Sequence, residues 1–102
     1  MTKVVVARIY LTEAEKRLNP IMRYLHDEAK VSGVTVFRGI TGFGASGKMH
    51  EAKFVDLSLD MPLVIEFFDL PERVRAIVKH LSSLVDQDHI ITWEATRIHG
   101  AL

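Results

Sequence analysis

The 102-residue chain, 48% hydrophobic and 25% charged, has the length and composition of a single globular domain spanning residues 1–102. Its 13 basic and 13 acidic residues cancel and are scattered, so the electrostatic footprint of a nucleic-acid or anionic-membrane binder is missing. Without cysteine there is no disulfide or thiolate chemistry. No apolar run approaches the ~20 residues needed to span a bilayer, so a cytoplasmic protein without direct membrane insertion is the expectation.

Val4 to Tyr10, rich in β-branched and aromatic residues, reads as a first strand. Asn19-Pro20 follows as a helix start, with Asn as N-cap and Pro in the first helical position. Ile21, Leu25 and Ala29, with Met22, give this helix one buried stripe, and Gly33 is expected to stop it after Ser32. Val34 to Phe37, with a continuation toward Ile40, makes a second strand, and four glycines at 39, 42, 44 and 47 then mark a long loop.

Pro62 opens a third strand, Leu63 to Phe68, an almost unbroken apolar run of the kind found at a sheet centre. Asp69 and Glu72 have the spacing of a reciprocal capping box. Val74, Ile77, Val78, Leu81, Leu84 and Val85 trace the apolar face of a second helix. Ile90 to Ile98 supplies the fourth strand. The order β-α-β-β-α-β predicts an α+β, ferredoxin-like sandwich: a four-stranded antiparallel sheet, two helices on one face, and a long loop between the second and third strands.

That arrangement leaves one sheet face uncovered. Val5, Ala7 and Ile9 with Leu63, Ile65 and Phe67 make uniformly apolar helix-facing rows. Val4, Val6, Arg8 and Tyr10 with Val64, Glu66 and Phe68 mix apolar and charged groups, as a subunit interface does.

The segment from Arg38 to His50 carries the strongest functional signal. Glycine tolerates positive φ and lets successive backbone N–H groups converge on an anion, with charge and further donors available from Arg38, Lys48 and Ser46. An ordinary mobile connection has equal claim on glycine content alone. The spacing matches neither a Walker loop nor a dinucleotide fingerprint. Five histidines, at 26, 50, 80, 89 and 99, show no metal-ligand spacing, although His50 at the far end of the loop titrates near physiological pH. Glu66 and Glu94 suit either a carboxylate pair on the open face or ion pairs with Arg8 and Arg97.

Gly33-Val34-Thr35-Val36, Gly42-Phe43-Gly44 and His50 resemble the second strand and loop base of the PII signal-transduction proteins. Phe37-Arg38-Gly39-Ile40, Gly42-Phe43-Gly44-Ala45-Ser46 and Asp60-Met61-Pro62-Leu63-Val64-Ile65-Glu66 are similar to the PII-like domain of unknown function 190 family, over most of the chain. The resemblance implies a cytoplasmic homotrimer that binds a small anionic metabolite or nucleotide at inter-subunit clefts and signals through the glycine-rich loop. Together with the loop chemistry above, the expected ligand-binding residues are Arg38, Gly39, Gly42, Phe43, Gly44, Ser46, Lys48 and His50, with no catalytic residue, no metal and no required cofactor. A membrane transporter or channel is the implied kind of partner protein.

Departures from the PII pattern narrow the ligand. Ala45 and Ser46 stand where PII proteins carry the Arg and Gln that hold phosphate and 2-oxoglutarate. The loop also has no tyrosine for uridylylation. The phosphate-gripping segment before the last strand is replaced by Val85-Asp86-Gln87-Asp88-His89, whose two carboxylates repel a triphosphate. The alternative reading is a small oligomeric ferredoxin-like enzyme with its site at the subunit interface. An RNA-recognition module is disfavoured because Gly42-Phe43-Gly44 lies in a loop of a neutral chain.

Overall fold

In the computed structural model, which describes residues 1–44, 49–51 and 61–99, the long first strand β1 (Thr2–Thr12) is the hub. Its outer half, Val5 to Thr12, pairs antiparallel with β5 (Pro62–Asp69), and its inner half, Thr2 to Ile9, pairs antiparallel with β6 (Ile90–Arg97). Strand β2 (Gly33–Arg38) adds to the free side of β5, giving the sheet order β2-β5-β1-β6. The four-stranded antiparallel sheet and its two helices are those of the ferredoxin-like sandwich.

Helix α1 starts at Leu18, wound as α-helix over Leu18–Arg23 and as a wider π-helix over Tyr24–Ala29. Helix α2 covers Pro71–Leu81. Ile21 and Leu25 from α1, and Val74, Ile77 and Leu81 from α2, close over Ala7, Ile9, Leu11, Leu63, Ile65 and Phe67 of the sheet. Both helices therefore lie on the face that the strand alternation assigns to the core. Each fully buried side chain among them, Phe67 and Ile9 for example, contributes on the order of 1.5–3 kcal/mol.

Three local expectations give way to different solutions. Leu18 precedes Asn19 into the helix, with Arg17 at the cap, so Pro20 is in the first turn but not at its first position. Helix α1 ends at Ala29, where Lys30 takes the left-handed conformation (φ 51°) and the Val31 N–H reaches the Leu25 carbonyl at 3.2 Å. Gly33 is the first residue of β2, where an added Cβ would sit 3.1 Å from the Phe68 ring. At α2 the cap is Leu70 followed by Pro71. Asp69 instead turns inward and gathers donors, as described below.

Candidate functional site at the loop end of the sheet

The antiparallel registers bring the end of β1, the end of β2 and the starts of β5 and β6 to one end of the molecule. Leu63 pairs with both Leu11 and Arg38, and Ile9 pairs with Ile90. The long connection from β2 to β5 leaves from this end. A second sheet forms within it: β3 (Thr41–Phe43) pairs antiparallel with β4 (Met49–Glu51), with Gly42 opposite His50.

Arg38 closes β2 and is largely exposed, yet its guanidinium is engaged. Nε lies 2.5 Å from Oε1 of Glu13, and Nη2 donates to Oε2 at 3.0 Å, a side-on fork of two parallel contacts. Glu13 opens a 3-10 turn (Glu13–Glu15) after β1. The Thr12 N–H donates to Glu15 at 2.6 Å, and the Glu13 N–H donates to the Met61 carbonyl at 2.9 Å. The turn is thereby tied to the entry of β5.

The glycines have reasons of their own. The Gly39 N–H donates to the Pro62 carbonyl at 2.7 Å, and a Cβ on Gly39 would stand 2.7 Å from the Pro62 ring. A Cβ on Gly42 would stand 3.5 Å from the same ring, an ordinary contact. Neither these two nor Gly44 has left-handed φ. Close passage over Pro62 thus accounts for glycine at position 39, while position 42 meets the ring at ordinary contact distance and position 44 faces open space. Phe43 is 70% exposed, so it does not pack on the main sheet, and its neighbour Ile40 is exposed as well. Ser46 and Lys48 lie outside the described residues. His50 is placed through its backbone pairing with Gly42.

Beside the Glu13–Glu15 turn lies an open pocket of about 200 Å³, lined by Glu15, Arg17, Ser82, Ser83, Asp86 and His89 among others. The Arg17 guanidinium donates to the Leu84 carbonyl across it. Sequence reasoning placed Asp86 before the last strand but missed Arg17 and the two serines. Their partners come from segments far apart in the chain, so no local spacing signals them.

On the open sheet face, Arg8 Nε donates to Glu66 Oε1 at 2.7 Å, and that hydrogen bond holds the guanidinium still more firmly protonated. The Arg8 guanidinium also lies 5.5 Å from the Trp93 ring centre, and that of Arg97 lies 5.6 Å from Phe68. Glu94 is not part of this group. It stands opposite Val5, on the helix side of β6, and pairs with Lys3 at 3.2 Å. Glu66 and Glu94 are therefore on opposite faces and cannot act as a carboxylate pair. Among the described residues no group of three His, Cys, Asp or Glu side chains is placed to hold a metal ion, and no helix is long and apolar enough to cross a membrane.

Strand order and helix placement give the chain a PII-like fold. The chain belongs to the DUF190 family, described as "Uncharacterized ACR", whose model matches residues 4–98. A UPF0166 protein of Methanocaldococcus jannaschii is 31% identical over 96 residues, covering 89% of this chain and 87% of that one. Among solved structures, CPII from Thiomonas intermedia K12, a nitrogen regulatory PII-like protein bound to ADP, AMP and bicarbonate, superposes with a TM-score of 0.70 at 20% identity, covering 92% of this chain and 87% of the other. The divalent ion tolerance protein CutA1 of Ehrlichia chaffeensis gives 0.67 at 13% identity, covering 98% and 88%.

Proposed function

We propose that this chain is a non-enzymatic, PII-like regulatory protein that assembles as a homotrimer. It binds a small anionic metabolite or nucleotide at inter-subunit clefts near the loop base and signals to a partner protein, of the transporter or channel kind, through the glycine-rich loop. The observation that carries this reading is Arg38. It is the exposed cation with a fork geometry at the root of the loop, and it shares that root with the outward-facing Ile40 and Phe43. Gly39, Gly42 and Gly44 shape the path of the chain there, and Ser46, Lys48 and His50 are assigned as further ligand-binding residues.

Two observations support the reading. The open sheet face carries partly exposed Tyr10, Phe37, Ile91 and Trp93 around the Arg8–Glu66 pair, a composition suited to contact with further copies. The structurally similar CPII carries ADP, AMP and bicarbonate. For the ligand to act as a signal it must bind one loop arrangement better than another.

A thermal-shift series with AMP, ADP, ATP and bicarbonate tests this. A ligand at ~100 times its Kd stabilises by roughly 2.7 kcal/mol. Stabilisation by ADP, AMP or bicarbonate that Arg38→Ala abolishes is the expected outcome. Stabilisation that Arg38→Ala leaves intact removes the site from the loop base.

A further inference from the structure

We propose that the Glu13 carboxylate is a built-in occupant of the anion position on Arg38. The ligand there is an oxyanion that presents two oxygens side-on to Nε and Nη2 and takes Glu13's place. This rests on the reading above and adds both the chemistry of the ligand and the group that competes with it.

The contacts define the position. Two parallel contacts, Nε to Oε1 at 2.5 Å and Nη2 to Oε2 at 3.0 Å, are the arrangement in which a guanidinium meets two oxygens of a single carboxylate, bicarbonate or phosphate group. The pair forms between separate elements, the turn after β1 and the end of β2, whose backbones are each fixed to the start of β5. The Glu13 N–H bonds to Met61 and the Gly39 N–H to Pro62. Exchange therefore requires only side-chain rotation, with both anchors unmoved.

The energetics permit it. Arg38 is 60% exposed at its side chain and Glu13 22%, and an ion pair with so exposed a partner is held weakly. Water and a solute reach the guanidinium while Glu13 is in place. Displacement then removes the side-chain link between β2 and the Glu13–Glu15 turn, part of which lines the neighbouring pocket, while the turn stays bonded to Met61.

The test follows the Arg38 Nε–Hε NMR correlation at constant ionic strength, titrating the full chain with sodium bicarbonate and, separately, with inorganic phosphate. Glu13→Gln removes the competing charge and is expected to tighten binding roughly three- to tenfold. It should also move the ligand-free Arg38 resonance away from its wild-type position. Tightening for bicarbonate alone, or for phosphate alone, names the source of the oxyanion. Glu13→Asp, which keeps the charge on a shorter arm, is expected to fall between the two and guards against a folding defect in Glu13→Gln.

Equal or weaker binding by both Glu13 variants, with binding still lost in Arg38→Ala, overturns the displacement while leaving the site standing. Binding that is indifferent to Arg38→Ala overturns the site itself. No binding of either ion to any variant overturns the proposal.

Discussion

Asp69 shows how one side chain can join distant segments. Buried at the end of β5, it accepts from the Ser32 N–H at 3.1 Å and the Leu70 N–H at 2.7 Å, and it pairs with Arg73 Nε at 3.1 Å. Arg73 also donates to the carbonyls of Ala29 and Lys30. The exit of α1 is thus bound to the entrance of α2. Asp69→Ala strands these donors and is expected to destabilise by about 2–3 kcal/mol in urea unfolding; a loss under ~0.5 kcal/mol would show that water replaces the carboxylate. Tyr24, stacked on His80 with ring centres 3.9 Å apart, has its phenol pKa raised by burial and, secondarily, by Glu28. Because the folded state disfavours the phenolate, the unfolded chain loses this proton first, and stability falls as pH rises through about 10. Tyr24→Phe should flatten that part of an alkaline stability profile.

Among the elements, the four strands of the main sheet were legible in the sequence because each carries a β-branched and aromatic run, and α2 because six apolar residues keep helical phase. The short β3–β4 pair, Thr41–Phe43 with Met49–Glu51, reads as loop in the sequence because neither strand carries such a run. The end of α1 was not legible either. Gly33 looked like the stop, but the chain turns three residues earlier on Lys30, and only tertiary contacts distinguish the two: Arg73 holds the Ala29 and Lys30 carbonyls, and Gly33 is needed beneath Phe68. A lysine in the left-handed region carries a steric penalty that glycine lacks. Lys30→Gly is expected to stabilise by about 0.5–1 kcal/mol in the same unfolding assay; destabilisation would mean that Lys30 makes compensating contacts. Asp69 was misread for a related reason, since the capping-box spacing is real but the carboxylate faces inward. At the loop, Arg38 and the glycines were visible as residue types. Glu13 was not, because its meeting with Arg38 depends on the sheet register.

For the molecule as a whole, the proposed assembly depends on the open face. Val64 lies between Tyr10 and Phe37 in register, one row along that face from the Arg8–Glu66 pair. Light scattering is expected to give about three times the 11.5 kDa chain mass. Val64→Asp should return the protein to one chain mass while its circular dichroism stays folded. A wild-type protein that is already monomeric contradicts the trimer.

β1 has a further consequence as a ruler. Thr2 pairs with Arg97 and its hydroxyl contacts His99 at 2.5 Å, while the other end of the same strand carries the Glu13 turn. The ten or so residues between them span roughly 30 Å. A fluorophore or surface tether joined beside residue 2 or residue 99 would therefore stand a full strand length from Arg38. An immobilised molecule would present its loop end outward, the orientation in which the proposed ligand and partner protein would meet it.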